Sequence, residues 1–313
     1  MQAKGRRSRP TQVTTSRADR LDLRRAARDN ATLPQGQRGG PMPTDPAKSV
    51  SSEPFNLAAA AVSQFRRDGY VRLKSVLPAS AIERYRGVFS DLVESRRAAA
   101  KPMAERSTYE KAFLQVCNLW RRSDEARDFV FSATLAEIAA KLMEVKGVRL
   151  YHDQALFKEA GGGPTPWHAD QYYWPVSSDR TVTAWLPLQT TPVAMGPLAF
   201  APGSHRMEAG RDLAIGAESE AAMAEALARV AVDEAEFEIG DVSFHAGWTF
   251  HRAGPNETDA MRAAMTVIYI DEEMRLAAPA NDAQAFDARV WCRDVAVGDL
   301  IAGPLNPVIW SAT

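Results

Sequence analysis

From Gly147 onward the chain breaks into short apolar stretches, each closed by glycine or proline: VRLYHDQALFKEA, TVTAWLPLQ, GPLAFAPGSH, AEFEIGDVSFHAG and AAMTVIYI. Each is rich in β-branched or aromatic residues, which suit a pleated, half-buried surface. Such strands must pair and bury a face against another layer. The chain before them is helical in pattern. LAAAAVSQF carries a helix through Phe65 that Gly69 stops, and a short strand follows from Tyr70 to Leu73. Pro78 and Ser80 open a second helix, with Ile82, Tyr85, Val88, Phe89, Leu92 and Val93 at helical spacing, and a third spans Ser132 to Val145. Helices followed by many strands predict a mainly β, α+β fold: a jelly-roll or cupin-like double-stranded β-helix barrel with N-terminal helices packed outside. GAESEAAMAEALARV, between the third and fourth strand stretches, predicts a helical insertion at the surface.

Residues 1–50 are a different kind of chain. Rich in Arg, Ser, Thr, Pro and Gly, they hold too few large apolar side chains to offset the entropy of ordering, and they are expected to form a disordered basic tail. Residues 51–313 are expected to form one domain. Its helical part covers about 55–146, its barrel core about 147–275, and 276–313 wrap over the barrel. The 38 Lys and Arg against 39 Asp and Glu leave a net charge of −1, which gives no pull toward nucleic acid or membrane surfaces. No apolar run approaches the ~18 residues of a membrane span, and the first residues lack the apolar core of a secretory signal. Cys117 and Cys292, far apart, form no disulfide framework, so a reducing cytoplasm is the expected setting. No oligomeric state follows from the sequence.

The chemistry concentrates in TPWHADQYYWP. In an extended strand His168 and Asp170 share one face, with Ala169 turned away. Two readings stand: a His–Asp hydrogen bond at a strand end, or the beginning of a metal site, which needs a further ligand. Of the remaining histidines, His205 lies in a turn, and His152 either lines a cavity or faces solvent. His245 and His251 both lie in FHAGWTFHRAGPN, where a strand is expected to run to about His251, turn, and return with Arg262. Arg262 enters a barrel-core strand, which is costly unless an anion awaits it. A metal beside a buried arginine suits a ligand that chelates at one end and carries a carboxylate at the other, as 2-oxoglutarate does.

WHADQYYWP, TAWLPL, GPLAFAPGSHR and HRAGPN, with Arg262 eleven residues after His251 and an F-x-x-D-G-Y-like opening at Phe65–Tyr70, resemble the phytanoyl-CoA dioxygenase family over roughly residues 55–275. The resemblance implies an iron(II) enzyme that uses 2-oxoglutarate and dioxygen to hydroxylate a C–H bond of a small molecule, giving succinate and carbon dioxide. It implies His168, Asp170 and His251 as iron ligands and Arg262 as the 2-oxoglutarate carboxylate binder. It also suggests Trp185 and Gln154 as neighbours of the co-substrate. His245 is the rival third ligand, off the family spacing to Arg262. Tyr172, Tyr173 and Trp174 either wall a substrate pocket or simply pack. Related iron halogenases have a small residue where this chain has Asp170. A cupin-type metal enzyme without 2-oxoglutarate and a non-catalytic binding barrel remain as alternatives, and no core basic cluster marks a CoA phosphate site.

Overall fold

The computed structural model describes residues 55–312, so the predicted tail at 1–50 lies outside the described residues. The first helix, α1 (Ala59–Asp68), ends at Gly69, which takes φ +82° and returns its N–H to Phe65 O. A left-handed C-cap of this kind favours glycine. A Cβ at Gly69 would also collide with His205 and Thr249, which explains what the turn at His205 packs against. Strand β1 (Tyr70–Leu73), helix α2 (Ala79–Ala98) and helix α5 (Ala133–Met143) follow the sequence pattern.

Between α2 and α5 the helical part also contains a strand that the sequence pattern does not mark. Short helices α3 (Thr108–Ala112) and α4 (Asp124–Val130) flank strand β2 (Leu114–Cys117). β2 is four residues long and pairs with a much longer strand, β3 (Gly147–Phe157). Pairing, not local composition, makes it a strand.

The remaining strands are β4 (Thr165–His168), β5 (Thr181–Pro187), β6 (Leu198–Phe200), β7 (Asp233–Glu234), β8 (Val242–Ala246), β9 (His251–Ala253), β10 (Ala264–Asp271) and β11 (Val308–Ser311). They form two sheets with antiparallel neighbours, the layered architecture of a jelly roll. The larger runs β1-β8-β5-β10-β3-β11, with β2 also on β3, and the smaller runs β4-β9-β6-β7. The predicted surface helix is α6 (Ala217–Ala226), between β6 and β7.

Alternation along the larger sheet divides its side chains. Val182, Ala184 and Leu186 of β5, with Phe244, Val267 and Tyr269, face the helices and join Tyr85, Phe89, Phe129 and Leu135 in the main core. Thr183 and Trp185 face the other way, into a cavity between the sheets. The C-terminal stretch is more than a wrap. It carries α7 (Asp282–Trp291), whose Phe286 and Trp291 close the cavity, and β11, which extends the larger sheet.

The segment from His245 to His251 also differs from expectation. It is two strands in two sheets, joined by a turn closed by Thr249 N–H to Ala246 O. His245 lies on β8 of the larger sheet and His251 opens β9 of the smaller.

Candidate active site

Two cross-strand pairs face each other across the cavity. His168, the last residue of β4, is paired with His251 on β9. Thr183 on β5 is paired with His245 on β8. Asp170 lies between the pairs. The strand expected to carry both His168 and Asp170 ends at His168, and Asp170 opens a 3-10 turn, Asp170–Tyr173. Convergence survives because Ala169 keeps an extended conformation, φ −120° and ψ 130°.

Asp170 uses its two oxygens differently. Oδ1 lies 3.8 Å from His168 Nε2 and 3.8 Å from His251 Nε2. Oδ2 accepts a hydrogen bond from Thr183 Oγ1 at 2.8 Å and lies 3.2 Å from His245 Nε2. On the other side of the two imidazoles, His168 Nδ1 is 2.8 Å from Pro166 O and His251 Nδ1 is 3.0 Å from Thr249 O. A carbonyl only accepts, so both Nδ1 atoms carry the proton and both Nε2 atoms keep a free lone pair. Ligand atoms of His168, Asp170 and His251 all lie within 4.8 Å of one another, a group that could hold a metal ion. His245 stands behind Asp170 and is not in that group.

Electrostatics agree with the geometry. Burial holds the His168 and His251 imidazoles down to about 4, helped by His251 beside the first and His245 beside the second. Both are neutral near pH 7, the form that binds metals. Burial also opposes ionisation of Asp170, but His251, His245 and His168 outweigh it and hold the carboxyl well below the usual carboxylate range.

Arg262 lines the same cavity and is 2% exposed. Its backbone bridges Lys158 just before β10, continuing the β3–β10 ladder. Nη1 donates to Gly196 O at 2.6 Å and Nη2 to Leu156 O at 3.3 Å. Gly196 takes φ +69° against the backbone of Gly254, where a Cβ would not fit. Arg262 Nε has no partner, and no carboxylate among the described residues pairs with this guanidinium. Burial lowers its pKa to about 10, so it is still a cation at neutral pH. An uncompensated buried cation in a cavity calls for an anion.

Trp185 and Gln154 both line the cavity. The Trp185 ring lies under the Arg262 guanidinium, 5.6 Å from its centroid, and its Nε1 has no partner. Gln154 Oε1 accepts from Gln115 Nε2, so a β2 residue the sequence did not mark fixes that amide. Thr183 was also missed, although alternation with Trp185 in TVTAW puts both on one face. His152 faces the cavity and packs against Trp291, with ring centroids 4.7 Å apart and the rings tilted by 33°. Tyr173 and Trp174 line it, whereas Tyr172 does not.

The family model described as phytanoyl-CoA dioxygenase matches residues 65–264. The chain belongs to the phytanoyl-CoA dioxygenase family. It is 26% identical over 216 residues to a probable alpha-ketoglutarate-dependent hypophosphite dioxygenase of Stutzerimonas stutzeri, covering 64% of this chain and 74% of that one. Among solved structures it is similar to the non-haem alpha-ketoglutarate-dependent carbocyclase SnoK from nogalamycin biosynthesis, at 26% identity and TM-score 0.66, over 82% of this chain and 99% of that one. The epimerase SnoN in complex with Fe3+, alpha-ketoglutarate and nogalamycin RO matches at 25% identity and TM-score 0.65, over 80% and 98%. This family member is a 2-oxoglutarate-dependent, non-haem iron oxygenase. No helix among its described residues is long and apolar enough to cross a membrane.

Proposed function

We propose that this oxygenase hydroxylates a C–H bond of a small organic molecule, with His168, Asp170 and His251 as the iron ligands and Arg262 as the partner of the distal 2-oxoglutarate carboxylate. The observation that carries this reading is the buried, unpaired Arg262 guanidinium in the same cavity as the three convergent ligand atoms. Neither rival explains both features. A cupin-type enzyme without 2-oxoglutarate has no need of a buried carboxylate clamp, and a binding barrel has no need of the ligand set.

Each residue has a definable task. Pro166 O and Thr249 O fix the His168 and His251 tautomers so that Nε2 faces the metal position. Thr183 and His245 hold Asp170 Oδ2, which leaves Oδ1 for the metal. The planar fork of Arg262 suits a carboxylate, and Trp185 and Gln154 border the same space. Bound iron and 2-oxoglutarate supply the oxidising chemistry, with dioxygen consumed and succinate and carbon dioxide released. The aromatic wall of Tyr173, Trp174, Phe286 and Trp291 keeps that chemistry away from water. Asp170 fills the position that a small residue leaves open to halide in the halogenases, which favours hydroxyl transfer.

The carbocyclase and epimerase names of two similar structures give a second reading, in which C–H abstraction is followed by ring closure or inversion. A metabolite screen for substrate-stimulated conversion of 2-oxoglutarate to succinate, under iron(II) and ascorbate, tests the function. A product heavier by one oxygen supports hydroxylation. A product lighter by two hydrogens, or of unchanged mass, supports the second reading.

A further inference from the structure

The half of the cavity away from Arg262 has its own charge problem. Among the lining residues the carboxylates and cationic side chains are Asp170, Arg262 and Asp287. On the proposed reading of the site, iron(II) and Arg262 carry three positive charges, and Asp170 and 2-oxoglutarate carry three negative ones. The iron half is therefore neutral when loaded, and Asp287 is the one acid of the cavity that no cation matches.

Asp287 lies on α7 and is 6% exposed. Its partners are neutral: Tyr151 Oη donates to Oδ2 at 3.1 Å, and the Trp291 indole donates as well. No guanidinium or ammonium among the described residues pairs with it. Burial consequently pushes its carboxyl well above the usual range. Two donors leave acceptor sites on the carboxyl unused, and a cation placed there would stabilise the ionised form that burial opposes. The surroundings are aromatic: Trp174 lies 5.6 Å from Tyr151, whose hydroxyl holds Asp287, and Phe286 and Trp291 flank the carboxylate in sequence and line the cavity. Aromatic rings around a buried acid are the surroundings in which an ammonium is held, by the ring quadrupoles and by the carboxylate it stabilises.

We propose that the substrate of this oxygenase is an apolar-bodied amine whose ammonium lies against Asp287 and the rings of Trp174 and Trp291. The inference rests on the reading of the other half as an iron and 2-oxoglutarate site. It excludes anionic substrates from this cavity: a phosphate or carboxylate would meet no cation beside Asp287 and would find Arg262, the one guanidinium of the lining, already engaged. An acyl-CoA thioester is excluded on the same ground.

Calorimetric titration of the anaerobic protein, loaded with iron(II) and 2-oxoglutarate, tests this with phenethylamine, 2-phenylethanol and phenylacetate, which share a body and differ in charge. The amine is expected to bind at least about tenfold more tightly than the alcohol, and phenylacetate not to bind. Asp287→Asn should bring the amine to the affinity of the alcohol and leave the alcohol within about twofold of its wild-type value, because only the charged contact is lost. Amine and alcohol binding alike, phenylacetate binding best, no amine binding, or Asp287→Asn weakening amine and alcohol equally would each overturn the proposal. Should Asp287→Asn not fold, the wild-type series decides it alone. Titration of 2-oxoglutarate into the same iron-loaded protein separates the two readings. If 2-oxoglutarate fails to bind, the oxygenase site assignment falls; if it binds and the amine does not, only the amine falls.

Discussion

Thr183 and His245 lie opposite each other across β5 and β8, and both reach the same oxygen of Asp170. The larger sheet thus aims a carboxylate at two imidazoles carried by the smaller one. Supporting contacts of this kind typically contribute about ten- to a hundredfold in metal affinity. Thr183→Val, which keeps shape and removes the donor, should weaken iron(II) binding by about that factor and leave the fold intact. Competition with a chelator measures it, and unchanged affinity would show that Asp170 is fixed by its backbone alone.

Arg262→Met is expected to separate stability from co-substrate binding. The wild-type apoprotein holds a buried cation with no carboxylate partner, so relief of that charge should offset the two backbone hydrogen bonds lost at Gly196 O and Leu156 O and leave the melting temperature within a few degrees of the wild type. The 2-oxoglutarate requirement should rise at least about tenfold, since truncating one partner of a desolvated pair costs about 2–5 kcal/mol. Iron binding should be spared. Thermal melts, 2-oxoglutarate titrations and metal analysis of one preparation check all three.

Much of this arrangement was legible in the chain. His168 and Asp170 two apart, and a charged Arg262 at the mouth of an apolar strand, are local signals that survive any packing. What was not legible depends on long-range pairing. β8 and β9 both look like apolar strand, and periodicity cannot tell one continuous strand from two that cross between sheets at Gly247–Phe250. β2 is too short to announce itself, and its strand state comes from β3. Asp287 sits in NDAQAFDARVW, an ordinary amphipathic pattern, and only the docking of α7 over the cavity makes its carboxylate notable.

Burial holds His152 down to about 4, far below the ordinary imidazole value of 6.5. Above pH 6.5 the ring is neutral in both folded and unfolded chains. As pH falls toward 4 the unfolded chain takes up the proton first, so stability is lost across that window. His168 and His251 act in the same direction. Between pH 7.5 and 5, His152→Phe apoprotein should lose about 2 kcal/mol less than wild type in urea unfolding. Parallel pH profiles would show that His152 is not buried as a neutral ring.

Chloride should have no effect on product identity. With the Asp170 carboxylate in place, the wild-type enzyme should give no chlorinated product by mass spectrometry at saturating chloride. A chlorinated product would show that halide reaches the metal despite Asp170.

Visible absorption of the anaerobic protein, titrated with iron(II) and then 2-oxoglutarate, reports directly on chelation of the keto acid by protein-held iron. The wild type should develop the charge-transfer band at one iron per chain. His251→Ala should lose it, His245→Ala should keep it, and Arg262→Met should keep it only at higher 2-oxoglutarate. A band that survives His251→Ala and vanishes with His245→Ala contradicts the ligand set of His168, Asp170 and His251.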